Sequence, residues 1–266
     1  NHTIDSLKFN HYSLLNKKVS DNLNKHKVNC IYQDKQNNIW AGSSQGLFLL
    51  SKDSTGAIYF KCVNEQIKLP KALVSSITED QFGKLIIATA KGLFVYKSFS
   101  DVTIAKQISF EFVHVVTTDK ENNIWAGGNK GLKFYINPDK NRHPEFKYNY
   151  TYKHAEEKSL SKNVIKSLFV DKTGIVWIGT QAGGVNKTDP MKKGFKTVRN
   201  TTDIKSLSYD NIRSFYEDEN SNLWIGTNGE GLNIALKGKR YDEFIKLKTF
   251  RKCFDIEKIA SQNKIL

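Results

Sequence analysis

Five times along the chain the same short signature returns. An aliphatic residue opens a six-residue apolar or β-branched run that ends at an Asp, and a second short run centred on an aromatic position follows six residues after that Asp. The units are Val28–Asp34 with Ile39–Gly42, Val74–Asp80 with Leu85 and Ile86, Val113–Asp119 with Ile124–Gly127, Ile165–Asp171 with Val176–Gly179, and Ile212–Asp218 with Leu223–Gly226. A Gly-Leu or Gly-Val pair closes each, at residues 46–47, 92–93, 131–132, 184–185 and 231–232. The five Asp lie 46, 39, 52 and 47 residues apart. That spacing fits radially repeated four-stranded blades and is too uneven for a tight solenoid coil.

Each part of the unit has a physical reason. The two apolar runs read as strands buried between neighbours, joined by Asp34–Asn38, Asp80–Lys84, Asp119–Asn123, Asp171–Ile175 and Asp218–Asn222. These joints read as hairpin turns: Asp accepts backbone hydrogen bonds at the turn entry, and Asn or Gly takes the left-handed backbone. Asp34, Asp80, Asp119, Asp171 and Asp218 are therefore read as structural, because a single carboxylate per blade does not hold Ca²⁺. All four tryptophans, Trp40, Trp125, Trp177 and Trp224, share one repeat phase, with Ile86 in their place in the second unit. An equal phase in every blade points to packing between sheets rather than to a sugar platform. A third strand (47–50, 93–96, 132–135) and a variable outer one (59–63, 146–150) complete the blade.

The fold class expected is thus all-β, a β-propeller of four-stranded antiparallel blades with five clear repeats and a partial or composite sixth. The repeats span 28–63, 74–110, 113–150, 165–198 and 212–249, within one propeller domain or propeller fragment over 1–266. Residues 7–14 resemble the outer strand of an earlier blade, and the degenerate stretch 252–266 a decayed sixth repeat. The chain begins at Asn1 with neither an initiator Met nor a leader, which suggests a processed or excised piece.

Composition narrows the function. At 39% hydrophobic and 12% aromatic the chain can bury a core, and no apolar run approaches the roughly 20 residues of a membrane helix. The formal charge is +14, but only five of the 41 basic residues are Arg, the residue with the planar fork for bases and phosphates. The excess therefore reads as solubilising Lys, with no nucleic-acid partner and no membrane contact. Cys30, Cys62 and Cys253 cannot all pair internally and lack zinc spacing; Cys30 sits on an apolar strand phase and reads as a small core residue. No cofactor and no metal site are expected.

The charge is unevenly placed. Four loops that join blades, 16–27, 64–71, 149–162 and 198–209, hold 11 Lys or Arg against five acids, whereas the hairpin turns hold seven acids against four Lys. The joining loops are accordingly the candidate ligand-binding end, with Lys17, Lys18, His26, Lys68, Lys153, His154 and Arg199 as contacts and Tyr152 as a stacking ring. A focused positive potential suits sulfate or carboxylate groups.

The most literal units, Ile212–Asn233 and Val176–Asn186, read Leu/Val-Trp-Ile-Gly-Thr-x-x-x-Gly-Leu/Val-Asn after the Asp, and Ser159–Val164 and Ser206–Ile212 read as Leu-Ser leads into the next blade. This pattern resembles the two-component regulator propeller repeat over residues 25–235. The resemblance implies the periplasmic sensor region of a hybrid two-component histidine kinase of Bacteroides type, in which paired seven-bladed propellers sense glycan-derived oligosaccharides. The implied partners are an oligosaccharide, the remaining sensor-kinase domains and a second copy in a homodimer. Two other classes stay open: a protein-interaction scaffold without a small ligand, and a lyase, since the repeat also resembles streptogramin-type lyases. His2, His11, His26, His114, His143 and His154 share no repeat phase suited to catalysis, so no catalytic residue is assigned.

Overall fold

The computed structural model describes residues 27–97, 105–137, 139, 141–190, 194–203 and 205–238, together with the short strands at 14–15 and 245–247. These residues form five sheets, antiparallel throughout except for one added strand. Blade 1 contains β2 (Val28–Gln33), β3 (Ile39–Ser43), β4 (Gly46–Lys52) and β5 (Ile58–Cys62), with β1 (Leu14–Leu15) added outside β5. Blade 2 is β6 (Val74–Glu79), β7 (Lys84–Thr89), β8 (Gly92–Lys97) and β9 (Lys106–Ser109). Blade 3 is β10 (Val113–Thr118), β11 (Ile124–Gly128), β12 (Leu132–Ile136) and β13 (Glu145–Tyr150). Blade 4 is β14 (Ile165–Val170), β15 (Val176–Thr180), β16 (Val185–Thr188) and β17 (Lys196–Val198); blade 5 is β18 (Ile212–Glu217), β19 (Leu223–Thr227), β20 (Leu232–Ala235) and β21 (Ile245–Leu247). Apart from β1, every blade has its strands in chain order, the mark of consecutive hairpins.

Of the stretch 7–14 read as the outer strand of an earlier blade, residues 7–13 lie outside the described residues; Leu14 is corrected, since it pairs with Phe60, and Leu15 with Lys61, in parallel as a fifth strand of blade 1. An unpaired outer edge offers a row of free backbone groups, and any extended segment can satisfy it. The degenerate repeat at 252–266 lies outside the described residues, as does Cys253.

The chain divides into two compact units, Asn1–Val116 and Thr117–Leu266. In the first, Trp40 is fully buried among Val74, Ile77, Leu85 and Ile87 of blade 2, joined by Ile67 and Leu69 from the linker between the blades. In the second, Trp177 is fully buried against Ile212, Leu223 and Ile225 of blade 5 with Leu207 from the linker. The tryptophan thus fills the space between one sheet and the next. Trp224 on blade 5 is only half-buried, with no later sheet of its own unit among the described residues to pack against it. The glycine two residues after the tryptophan is set by the same approach: a Cβ on Gly179 would fall 2.6 Å from Ile212 Cγ2 of the following blade.

The hairpin turns follow from the Asp. In Asp34–Asn38 the Asp N–H donates to the Asn38 carbonyl (3.0 Å) and the Asn37 N–H to the Asp34 carbonyl (2.9 Å), and the turns at Asp80, Asp119, Asp171 and Asp218 repeat this. The fourth residue is left-handed throughout: Asn37, Gly83, Asn122, Gly174 and, beyond the expected Asn or Gly, Ser221 at φ 62°. The carboxylate does two jobs. Its Oδ1 accepts the N–H groups two and four residues on, as in Gln36 (3.0 Å) and Asn38 (2.8 Å). Its Oδ2 accepts the indole N–H of the tryptophan six residues on, at 2.8, 2.9, 2.7 and 2.9 Å for Trp40, Trp125, Trp177 and Trp224. The fixed spacing of six between Asp and Trp is the span that brings indole and carboxylate together across the hairpin.

Candidate functional site

Every blade presents two ends, the hairpin-turn end and the end where linkers and the loops between second and third strands lie. At the turn end the lysines are committed to the fold. Lys35 donates its N–H to Glu79 Oε2 (2.9 Å) and its Nζ to the Asp80 carbonyl (2.7 Å) of the next blade. Lys172 repeats this with Glu217 Oε2 (2.9 Å) and the Asp218 carbonyl (2.9 Å). Lys120 reaches the Lys172 carbonyl, and Lys84 is buried with its Nζ 5.7 Å from the Phe82 ring centre. These cations latch neighbouring blades and rings.

The linker end is built differently. In the second unit, the Ser-Leu-Ser linkers are clamped by the Asn that follows Gly-Val or Gly-Leu in the next third strand. Asn186 Oδ1 accepts the Ser161 N–H (2.9 Å) while its Nδ2 donates to Ser161 Oγ (2.7 Å); Asn233 holds Ser208 in the same way at 2.8 and 2.9 Å. Both asparagines are fully buried. The linker backbone also meets the loop between second and third strands: Gln181 N–H donates to the Val164 carbonyl and Gly184 N–H to the Asp210 carbonyl.

On this clamped frame the predicted contacts separate. Tyr152, Lys153 and His154 share one linker, and Tyr152 Oη lies 3.1 Å from His154 Nδ1. The Tyr152 N–H is fixed by Asn163 Oδ1 (2.6 Å), and its ring, 38% exposed, lies 5.5 Å from Lys162 Nζ. Lys153 is tied to Glu156 at 2.8 Å, a pair of exposed side chains of little energetic weight. Arg199 sits on the other side of the blade-4 loop. A Cβ on Gly183 would meet Lys162 Cγ at 2.6 Å, and one on Gly184 would meet Arg199 Cγ at 3.2 Å. Tyr152, His154, Lys162 and Arg199 therefore flank one pair of glycines, and neither Lys162 nor Arg199 forms an ion pair among the described residues.

Lys68 lies apart, exposed in the first unit on the 64–68 turn with a left-handed backbone (φ 53°). Lys17, Lys18 and His26 lie outside the described residues. Two features escaped the reading from sequence. Lys162 stood inside a basic loop without being singled out. Phe110, 82% exposed, occupies the short linker 110–112 before β10, where the Phe112 ring stands 4.5 Å from that of His114. Among the described residues no group of three or more His, Cys, Asp or Glu is placed to hold a metal ion.

A family model described as two component regulator propeller matches residues 22–45, 159–182 and 206–229, each running from a linker through the hairpin to the loop between second and third strands. Among solved structures, the extracellular domain of a proposed hybrid two-component system from B. thetaiotaomicron is 20% identical, with 85% of this chain and 34% of that one covered at a TM-score of 0.41. Virginiamycin B lyase from Staphylococcus aureus is 11% identical, with 85% and 71% covered at a TM-score of 0.58. The beta-propeller domain of Swd1 from Myceliophteria thermophila is 11% identical, with 84% and 70% covered at a TM-score of 0.57. The latter two likenesses establish the fold of the blades. The chain spans about a third of the length of the extracellular domains it matches. None of the curated proteins matches it.

Proposed function

Since the chain carries repeats of the two-component regulator propeller family, we propose that it is the non-catalytic, periplasmic sensor propeller of a hybrid two-component signalling protein, recognising glycan-derived oligosaccharides at its linker end. The observation that carries this reading is the contrast between the two ends. Turn-end lysines are consumed by the fold, whereas Lys162 and Arg199 flank the Gly183–Gly184 loop beside the half-exposed Tyr152 ring. A flat ring offers its face to the C–H side of a sugar, and two cations without acid partners suit a sulfate or carboxylate on it. Lys68, Lys153 and His154 extend this end, and Lys17, Lys18 and His26 join the proposal on sequence alone.

A thermal-shift screen of the chain against neutral, sulfated and uronic-acid oligosaccharides tests it, because a ligand that binds only the native form raises the melting temperature. The expected hit is an acidic oligosaccharide whose effect falls on Lys162→Glu or Arg199→Glu. A panel with no hit, or a hit unchanged by both substitutions, argues against the reading.

A second reading has its own observation. The first strand of blade 1 exposes Ile31 (69%) and, in the other unit, the first strand of blade 5 exposes Tyr216 (62%), each an apolar side chain suited to a protein contact, including one with a second copy of the chain. Sedimentation of the wild type against Ile31→Lys and Tyr216→Lys distinguishes it: a dimer dispersed by these changes favours the scaffold, and a monomer at all concentrations excludes self-association.

A further inference from the structure

First strands of consecutive blades pack side by side, β2 with β6 and β14 with β18. Their ladders share an irregularity. The register shifts between Val28 and Cys30, Val74 and Ser76, Ile165 and Ser167, and Ile212 and Ser214. Asn29, Ser75, Lys166 and Arg213 are therefore the inserted residues of four equivalent β-bulges, a feature that frees a residue from the ladder and re-aims its side chain. In the first unit the re-aimed groups are neutral and turn to the next first strand: Asn29 Nδ2 donates to the Val74 carbonyl (3.4 Å) and Ser75 Oγ to the Val113 carbonyl (2.6 Å).

In the second unit the same positions hold two cations on adjacent strands. Lys166 makes no hydrogen bond or ion pair among the described residues, and Arg213 donates one Nη2 bond to Asn228 Oδ1 (3.1 Å). Burial and then the neighbouring Arg213 charge hold the Lys166 ammonium below its ordinary range. The acids on strand β18 and in the loops on either side of it pair with neither cation. Glu217 accepts from the Lys172 N–H, Asp210 accepts the Asn200 N–H at 2.6 Å, and Glu230 pairs with neither cation. Like charges set together without an acid are unfavourable for folding, and such arrangements concentrate at binding sites.

We propose that Lys166 and Arg213 form an oxyanion-binding pair at the linker end of the first strands of blades 4 and 5, taking a sulfate or carboxylate group. Asn228 orients the guanidinium so that its remaining N–H groups form a fork for two oxygens, and Lys166 supplies a point charge. The pair does not depend on the Tyr152 and Lys162 cluster or on the sensor reading, since it follows from the bulges alone.

The test is a calorimetric titration of the whole chain with sodium sulfate at constant ionic strength, repeated on Lys166→Ser and Arg213→Asn, which install the residue types that the first unit carries at its own bulges. Wild-type binding that weakens about tenfold or more in each variant is expected, since each removes at least one charge-assisted hydrogen bond to the anion. Arg213→Lys, which keeps the charge and loses the fork, is also expected to weaken it, and this variant keeps the test valid if a neutral one fails to fold. No saturable binding by the wild type, or equal affinity in all variants, overturns the proposal. A sulfated disaccharide that binds more tightly than sulfate assigns the oxyanion to a saccharide; equal affinity assigns the site to the free anion.

Discussion

Blades 1 and 2 of the first unit and blades 4 and 5 of the second turn their hairpins with the same chemistry and tie their linkers with different chemistry. At the residue after Gly-Leu or Gly-Val, the first unit has Phe48 and Phe94, each 3% exposed, where the second has the fully buried Asn186 and Asn233. In the first unit the linker is held by Ile67 and Leu69 sunk into the core, with Asn64 accepting the Leu47 N–H (2.8 Å) and donating to the Gln45 carbonyl (3.0 Å). In the second Leu160 and Leu207 are buried in the same way, and an amide-to-serine clamp between residues 25 apart is added to them. A tight hairpin has few solutions, so one carboxylate recurs. A linker can be anchored by apolar insertion or by a satisfied polar network, and that freedom leaves room for function to differ between blades.

The sharpest break of this comparison is at the shared element. Trp177→Ala removes a fully buried ring from between blades 4 and 5 and is expected to cost about 3–5 kcal/mol, read as a fall in the urea midpoint. Trp224→Ala, at a half-buried ring, is expected to cost less. Equal losses would show that the ring does not act through packing between sheets.

Next in size is the clamp. Asn233→Leu leaves the buried Ser208 N–H and hydroxyl without their partner and is expected to cost about 2 kcal/mol, whereas Ile67→Leu, an apolar exchange in the first unit's linker, is expected to cost under about 1.5 kcal/mol. Chemical denaturation of both variants decides it, and the reverse order would remove the distinction between the two ways of tying a linker.

A smaller effect concerns acid. Burial acts to raise the Asp218 carboxyl, but hydrogen bonds from Trp224, the Asn222 side chain and the Asn222 and Asn220 backbones outweigh it and hold the group below its ordinary value. A depressed carboxyl contributes stability above its unfolded pKa, and that contribution is lost as pH falls through the lower folded value. Trp224 fluorescence in a protein whose other tryptophans are replaced by Phe should therefore stay constant down to about pH 4 and change below it. A transition near neutral pH would contradict the assignment. The smallest effect is chemical. Burial pushes the Cys30 thiol up to about 11, so at pH 8 it should react with a thiol reagent far more slowly than a free cysteine. Comparison of Cys30→Ser and Cys62→Ser reaction progress, in a Cys253→Ser background, reads this directly.

Much of the blade was legible because its signals are local. Asp and Trp stand six residues apart on one hairpin, and period-two or apolar runs mark the strands between turns. What was not legible needs the topology. Asn186 and Ser161 carry no pattern that pairs them until the third strand and the preceding linker are brought together, and the same holds for Lys35 with Glu79 and Lys172 with Glu217. Cys30 was read as a core residue and is half-buried, with its sulfur against Gly42 and the blade-2 packing. The bulges that single out Lys166 and Arg213 leave the alternation of the strand looking regular. Phe110 was passed over because its linker is only three residues long, too short to stand out by composition.

Ligand recognition at the linker end, with the turn end as scaffold, is tested most directly by charge reversal at both ends in one calorimetric experiment with a sulfated oligosaccharide that binds the wild type. Lys162→Glu with Arg199→Glu should weaken binding about a hundredfold or more, because two charge-assisted hydrogen bonds to the ligand are removed together. Lys35→Glu with Lys172→Glu should lower the melting temperature and leave the affinity of the folded protein unchanged. Binding that survives the linker-end pair, or that vanishes with the turn-end pair in a folded protein, would contradict the account.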